Sequence, residues 1–156
     1  EERLRKRTEE AGGPAPVVTS AGALVDGLKT LGAKKVSILA PYMKPLTQLV
    51  IDYIENEGIE VIDSISLEIP DNLEVGARDP MAPVEITKKL NTKGADAIVA
   101  SACVQMPSLP SVQIIEDRAG LPVVSSSIST TFMMLRGVVV SWPRPKRWPI
   151  SWVTTS

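Results

Sequence analysis

Short apolar segments alternate with longer amphipathic segments along most of this chain of 156 residues. The apolar segments, rich in β-branched residues, predict four strands, at Lys35–Ala40, Ile59–Ile69, Ala95–Ala100 and Leu121–Ser125. Helical spacing and capping residues predict helices at Ala21–Leu31, Pro45–Asn56, Val84–Leu90, Pro107–Arg118 and Ile128–Leu135. This alternation predicts an α/β fold, a four-stranded parallel sheet with helices on both faces.

Three segments lie outside this alternation. The first ten residues predict a charged helix, and the turn-rich segment Pro70–Pro83 predicts a long loop. After Gly137 the periodicity is lost, and the last sixteen residues hold all three tryptophans and three of the thirteen prolines. We interpret residues 138–156 as an atypical tail, disordered or non-native, with an interaction peptide as the alternative.

Composition indicates one ordinary globular domain and excludes several function classes. The chain is 44% hydrophobic and 22% charged, and its net charge of -1 favours neither nucleic acid nor membrane as a partner. A single cysteine and a charged N-terminus without an apolar signal core lead us to expect a cytoplasmic location. The absence of histidine removes Ser-His and Cys-His catalytic pairs and most zinc sites.

Reactive or polar side chains follow three of the predicted strands. Cys103 follows the third strand, Tyr42 the first, and Asn72 the second. Because parallel strands end at the same edge of a sheet, we expect these three side chains to lie close together. The peptide N–H groups of Val104 and Gln105, expected to open a helix, would bind a substrate carboxylate and favour the thiolate of Cys103.

Each of these residues also has a structural explanation. A single cysteine is often a small buried apolar residue, and a tyrosine such as Tyr42 often packs half-buried against a core. Asp71 is expected to cap a helix or turn, and Asn72 to stabilise a turn through local backbone bonds. The residue pattern alone leaves these alternatives open.

Four segments resemble the maleate cis-trans isomerases of the aspartate/glutamate racemase superfamily. They are Pro16–Gly27 (PVVTSAGALVDG), Pro41–Thr47 (PYMKPLT), Asp71–Val75 (DNLEV) and Ser101–Pro110 (SACVQMPSLP). The resemblance extends from about Glu1 to Leu135, and the segment around Cys103 is its most specific part. Arylmalonate decarboxylases and ectoine-utilisation proteins share the scaffold and are less similar.

The resemblance implies that this chain is one half of a larger fold. In the superfamily, two similar α/β halves face each other across a cleft, and each half contributes one cysteine. Residues 19–137 resemble the second half, and residues 1–18 a linking helix that remains from the missing first half. Cys103 matches the second-half cysteine, and Tyr42 and Asn72 match residues that bind the carboxylates of the substrate.

The resemblance further implies a reaction that uses no metal or organic cofactor. A thiolate adds to the double bond of maleate, the succinyl-cysteine rotates about its new single bond, and elimination gives fumarate. The full-length protein is expected to be a homo-oligomer that binds this small dicarboxylate, and the present chain to be inactive alone. The alternatives are another cysteine-dependent superfamily enzyme (an arylmalonate decarboxylase, an amino-acid racemase or an ectoine-utilisation protein) or a non-catalytic fragment.

Overall fold

The computed structural model describes residues 2–13 and 16–138. These residues contain four strands, β1 (Lys35–Ala40), β2 (Glu60–Ser66), β3 (Ala97–Ser101) and β4 (Val123–Ser125). The helices are α1 (Glu2–Glu10), α2 (Ser20–Leu31), α3 (Lys44–Asn56), α4 (Asn72–Gly76), α5 (Ala82–Ile86), α6 (Leu109–Ala119) and α7 (Ser126–Val138). A short 3₁₀ helix, Thr87–Lys89, follows α5.

The four strands form one parallel sheet in the order β2-β1-β3-β4. Successive residues of β1 belong to different core clusters: Ile38 and Ala40 pack with α2, α3 and α7, whereas Leu39 packs with α4. In β3, Ile98 packs with α6 on the second side. Because neighbouring side chains of a strand point to opposite faces, helices cover both faces. The predicted α/β architecture is therefore confirmed.

The sequence specifies α2 at both of its ends. The Thr19 side chain accepts a hydrogen bond from the Gly22 N–H, and Gly32 closes the helix in the left-handed conformation, at a φ of 76°. The buried face of the helix includes Gly22, Ala23 and Gly27, and α2 packs closely against α7. Small side chains permit such a close approach, and α2 packs on the same face of the sheet as α7.

The segment Pro70–Pro83 is not a long loop, and that prediction is wrong. Asp71 caps α4 by accepting a hydrogen bond from the Leu73 N–H at 2.8 Å, and Val75 of α4 is buried against the sheet. A second helix, α5, begins at Ala82. Each helix has only five residues, too few for an apolar period to appear in the sequence.

Several predicted boundaries also move. β2 ends at Ser66 rather than Ile69, and the helix predicted at Val84–Leu90 is α5 followed by the 3₁₀ helix. α6 begins at Leu109 rather than Pro107, and α7 begins directly after β4, at Ser126. Among the apolar residues of α3, Ile54 is buried, whereas Leu46 and Leu49 are exposed.

The predicted tail begins where the structural description ends. α7 includes Val138, and residues 139–156 lie outside the described residues. Within the described part of the chain, none of the helices is long and apolar enough to cross a membrane.

Candidate active site

The thiol of Cys103 lies in the core at the carboxyl edge of the sheet. Cys103 follows the last residue of β3 by two positions and is only 5% exposed. It packs with Leu39, Ile69 and Met106, and with Val75 from α4. The fold therefore delivers the thiol where a parallel sheet binds ligands, as its place after an apolar strand predicted.

Ser101, the last residue of β3, bonds to the backbone of Cys103 in both directions. Its hydroxyl donates to the Cys103 carbonyl at 2.8 Å and accepts from the Cys103 N–H at 3.2 Å. Ser101 is completely buried. One hydroxyl thus satisfies two buried backbone groups that would otherwise be costly to leave unpaired.

Tyr42 follows β1 and lies beside Cys103, which follows the neighbouring strand β3. Its hydroxyl donates to the Ala102 carbonyl at 3.4 Å, and its ring packs against the cluster that contains Cys103. Burial raises the pKa of the Tyr42 phenol, and a hydrogen bond and charge interaction with Cys103 raise it further. Tyr42 is therefore a protonated hydrogen-bond donor at neutral pH.

The chain just after β2 holds the main chain of Tyr42 in place. The N–H groups of Glu68 and Ile69 donate to the carbonyls of Tyr42, at 3.2 Å, and Pro41, at 3.0 Å. Glu68 takes up a left-handed conformation, with a φ of 53°, unusual for a residue other than glycine. The segments that follow β1 and β2 therefore remain hydrogen-bonded to each other beyond the ends of the two strands.

Asn72 and Val104 differ from the buried pair. Asn72 is the first residue of α4 and is exposed, while the helix it begins is anchored next to Cys103 by Val75. Val104 directly follows Cys103 and is 46% exposed. The structure thus brings Tyr42 and Cys103 into contact and leaves Asn72 and Val104 on the surface.

The helix N-terminus expected beside Cys103 is not there. Val104 and Gln105 lie in a segment of bends, Met106 turns into the core, and α6 begins only at Leu109. The N–H groups of residues 104 and 105 are therefore not those of a first helical turn. The expectation that this helix favours the Cys103 thiolate loses its geometric basis.

An apolar groove of about 210 Å³ adjoins the pair on the other side of Tyr42. It runs between α2 and α3, and Tyr42, Ala102, Leu24 and Tyr53 form part of its lining. Cys103, Asn72 and Val104 do not contribute to this lining. In residues 2–13 and 16–138, no group of three or more Cys, Asp or Glu side chains is arranged to hold a metal ion.

Ser101 is the residue of this region that the sequence pattern did not single out. The available signal was a serine ending an apolar strand two positions before a cysteine, a spacing at which a serine hydroxyl reaches the backbone. The chemistry present is a buried thiol, a protonated phenol beside it, and a fixed backbone between them. Such a set can transfer a proton and bind an anionic oxygen.

Comparison with known proteins identifies the family and the relatives to which the chain is similar. The family model described as arylmalonate decarboxylase matches residues 1–142. The chain is 60% identical over 138 residues to a maleate isomerase of Geobacillus stearothermophilus, covering 88% of this chain and 55% of that protein. The chain therefore spans about half the length of the curated relatives it matches.

Two solved structures are similar in fold and sequence. A maleate isomerase of Pseudomonas putida, crystallised with maleate, has a TM-score of 0.83 and 52% identity, covering 88% of this chain and 55% of that one. A Nocardia farcinica maleate cis-trans isomerase, a cysteine-to-serine mutant with a covalently bound succinylcysteine intermediate, has a TM-score of 0.84 and 38% identity. It is covered over 56% of its length, and this chain over 88%.

Proposed function

We propose that this chain, which belongs to the arylmalonate decarboxylase family, is the second half of a maleate isomerase that converts maleate to fumarate. The observation that carries the proposal is the buried thiol of Cys103 at the carboxyl edge of the sheet, beside Tyr42, which packs against the same cluster and donates to the Ala102 carbonyl. The identity of 60% to a maleate isomerase supports the choice of substrate.

The proposed reaction replaces rotation about a carbon–carbon double bond, which is forbidden, by rotation about a single bond, which is easy. A thiolate adds to one alkene carbon, and the other carbon takes up a proton, which gives a succinyl-cysteine with a single carbon–carbon bond. After rotation, the same carbon loses a proton and the carbon–sulfur bond breaks, which restores the double bond in the trans form. Donors to the adjacent carboxylate stabilise the enolate-like charge of both steps.

In this scheme Cys103 gives and takes the proton, facing the nucleophilic thiolate across the substrate. Tyr42 donates to a substrate carboxylate, a role that its raised pKa supports because the phenol keeps its proton. Asn72 and the N–H of Val104 contact the carboxylates from the surface. Both are exposed in this chain and therefore accessible to a substrate bound at the edge of the sheet.

The single cysteine of this chain supports the proposal that it contributes half of an active site. The chain has one cysteine. In the Nocardia farcinica enzyme, one cysteine is replaced by serine, yet a succinylcysteine is still present, so that enzyme has at least two cysteines. We therefore expect no isomerase activity from this chain alone. The full-length protein is proposed to be a homo-oligomer located in the cytoplasm, where a free buried cysteine such as Cys103 is stable.

A second candidate function is decarboxylation of an arylmalonate. The family model that matches residues 1–142 carries that description, and a decarboxylase can operate with the one cysteine that this chain has. In that reaction Cys103 would protonate the carbanion left by loss of carbon dioxide. Turnover of an arylmalonate by the chain alone, abolished in Cys103→Ser, would favour this candidate.

Complementation tests the isomerase proposal. The part of the Geobacillus stearothermophilus relative that this chain does not match is fused ahead of Glu1 or added in trans, and the conversion of maleate to fumarate is measured. We expect turnover from the complemented protein, and from the chain alone no more than free thiol produces. A folded fusion without turnover, or robust turnover by the chain alone, would contradict the proposal.

A further inference from the structure

We propose that Ser101 is a positioning residue whose hydroxyl fixes the backbone of Cys103 and so holds the thiol against Tyr42. Ser101 acts through Cys103 and needs no contact with a substrate. The inference concerns the placement of the thiol within this chain. Its consequence for catalysis rests on the proposed function.

The argument begins with the end of β3, where regular pairing stops. Val99 pairs with Val124 and Ser101 with Ser125, so that β3 carries one residue, Ala100, more than β4 between these pairs. An extra residue of this kind bends a strand and changes the direction of the side chains that follow. The segment after Ser101 therefore leaves the ladder and must find new partners for its backbone.

Side chains and one neighbouring strand supply those partners. The Ala102 N–H donates to the Leu39 carbonyl at 2.9 Å, and the Ala102 carbonyl accepts from the Tyr42 hydroxyl. The Cys103 N–H and carbonyl both bond to the Ser101 hydroxyl. All four polar backbone groups of Ala102 and Cys103 are thus bonded within the chain.

These bonds fix the two peptides that set the direction of the Cys103 side chain. Two of the four come from the Ser101 hydroxyl, and a third comes from Tyr42, the same side chain that contacts the thiol. Without the hydroxyl, the buried N–H and carbonyl of Cys103 would have to turn toward other partners. We expect that rotation to separate the thiol from the phenol.

Ser37 provides a matched control because it is also a completely buried serine in the sheet. Its hydroxyl donates to the Asn91 carbonyl at 2.6 Å, a bond that makes no contact with Cys103 or Tyr42. Ser37→Ala therefore removes a buried serine hydroxyl from the neighbouring strand. A general loss of stability should appear in both alanine variants, whereas a loss of positioning should appear only in Ser101→Ala.

The test follows the ionisation of Tyr42 in the full chain. The chain has two tyrosines, so Tyr53→Phe provides a background in which the phenolate absorbance reports Tyr42 alone. The absorbance is read about one pH unit above the ordinary tyrosine pKa of about 10. Ser101→Ala, Ser101→Thr and Ser37→Ala are compared with the parent, and circular dichroism at the same pH verifies that each is folded.

We expect little phenolate in the parent, because burial and, after it, the contact with Cys103 raise the pKa of Tyr42. Ser101→Ala should give about threefold more phenolate, since separation from Cys103 removes part of the rise in the pKa of Tyr42 while burial maintains the rest. Ser101→Thr keeps the hydroxyl and should resemble the parent, as should Ser37→Ala. Equal phenolate in both alanine variants, or a folded Ser101→Thr that behaves like Ser101→Ala, would overturn the proposal.

A pair of isosteric variants covers the case in which Ser101→Ala does not fold. Ser101→Thr and Ser101→Val have the same shape and differ only in the hydroxyl, so a larger phenolate signal in Ser101→Val supports the proposal and equal signals overturn it. In the complemented enzyme, Ser101→Ala should lower kcat by about 100-fold with KM little changed, the scale expected when a reacting group is misplaced. Failure of complementation itself would contradict the proposed function and leave the phenolate result standing.

Discussion

The chain leaves the sheet in different ways after β3 and after β2. After β3, Ala102 and Cys103 are buried, and their backbone groups bond to Ser101, Tyr42 and Leu39. After β2, the segment 67–72 bonds to the exit of β1 through backbone groups, and the left-handed Glu68 also forms an ion pair with Lys44. The segment ends exposed at Asn72. One exit is enclosed by its own chain, and the other faces outward.

The difference separates two parts of the proposed chemistry. Cys103, proposed to transfer the proton, and Tyr42, proposed to donate to a carboxylate beside it, are placed by contacts that this chain makes by itself. Asn72, proposed to bind a carboxylate, is exposed to solvent, and the helix that it begins is anchored in the core by Val75. Substitutions at the β3 exit should therefore change both stability and chemistry, whereas substitution of Asn72 should change substrate binding alone.

The largest expected effect is that of Cys103→Ser in the complemented enzyme. Serine is close in size, so the fold should be retained, but a hydroxyl is a far weaker acid than a thiol. We expect the rate of maleate isomerisation to fall by about 10²–10⁴-fold, the usual contribution of a proton-transfer group. Initial rates and circular dichroism of the parent and variant provide the measurement, and unchanged turnover would remove Cys103 from the mechanism.

Tyr42→Phe should have the next largest effect. The substitution keeps the ring, which packs beside Cys103, and removes the hydroxyl that bonds to the Ala102 carbonyl. We expect the free energy of unfolding to fall by about 1 kcal/mol, as is usual for one hydrogen bond, in urea titrations of the chain. Turnover of the complemented enzyme should fall as well, by about tenfold or more, because a donor to the carboxylate is lost.

Tyr53→Phe is the control for this prediction. Tyr53 lines the groove between α2 and α3 on the other side of Tyr42, and is not among the residues that pack with Cys103. Its substitution should leave turnover of the complemented enzyme unchanged. If both variants lose turnover equally, the hydroxyl of Tyr42 has no specific role in the reaction.

Asp71 and Asn72 are neighbours for which we expect opposite outcomes. Asp71→Ala removes the side-chain cap of α4 and should lower the free energy of unfolding by about 1 kcal/mol. Asn72→Ala changes an exposed residue and should alter that free energy by less than about 0.5 kcal/mol. In the complemented enzyme, Asn72→Ala should raise KM for maleate. A stability loss in Asn72→Ala equal to that in Asp71→Ala would assign Asn72 to the fold alone.

The architecture could be predicted from the sequence because each strand has a strong local pattern. The strand predicted at Lys35–Ala40 has its observed bounds, and α2 is capped by a threonine and a glycine, residue types that favour helix ends. The five-residue helix α4 was missed because it depends on tertiary contacts, such as the burial of Val75, and α5 begins two residues before the predicted helix. Propensity and period carry little information over so few residues.

In the candidate site too, some features could be predicted from the sequence, and others depend on local geometry that the sequence does not reveal. Parallel topology was enough to predict that Tyr42 and Cys103 meet, because both follow neighbouring strands of one sheet. The role expected of the α6 N-terminus was wrong, because the chain first buries Met106 and begins the helix at Leu109. The two hydrogen bonds between the Ser101 hydroxyl and the Cys103 backbone depend on a local irregularity of β3, which the periodicity of the sequence does not reveal.

The smallest expected effect is a dependence of stability on alkaline pH. Below about pH 10, the ordinary tyrosine pKa, Tyr42 is protonated in both the folded and the unfolded chain. As the pH rises further, the unfolded chain loses this proton while the folded chain keeps it, because burial and Cys103 raise the pKa of Tyr42. The free energy of unfolding should therefore fall as the pH rises above about 10.

Tyr42→Phe isolates this contribution. Lys29 and Lys35 also have raised pKa values, through hydrogen bonds to Glu57 and Glu60, but both lysines are present in the parent and the variant. The difference between the two proteins in urea titrations from about pH 9 to pH 11 therefore reports Tyr42. We expect the parent to lose more stability than Tyr42→Phe over this range. Parallel losses would mean that the folded chain does not hold the proton of Tyr42, and the contact with Cys103 at the β3 exit would lose its electrostatic support.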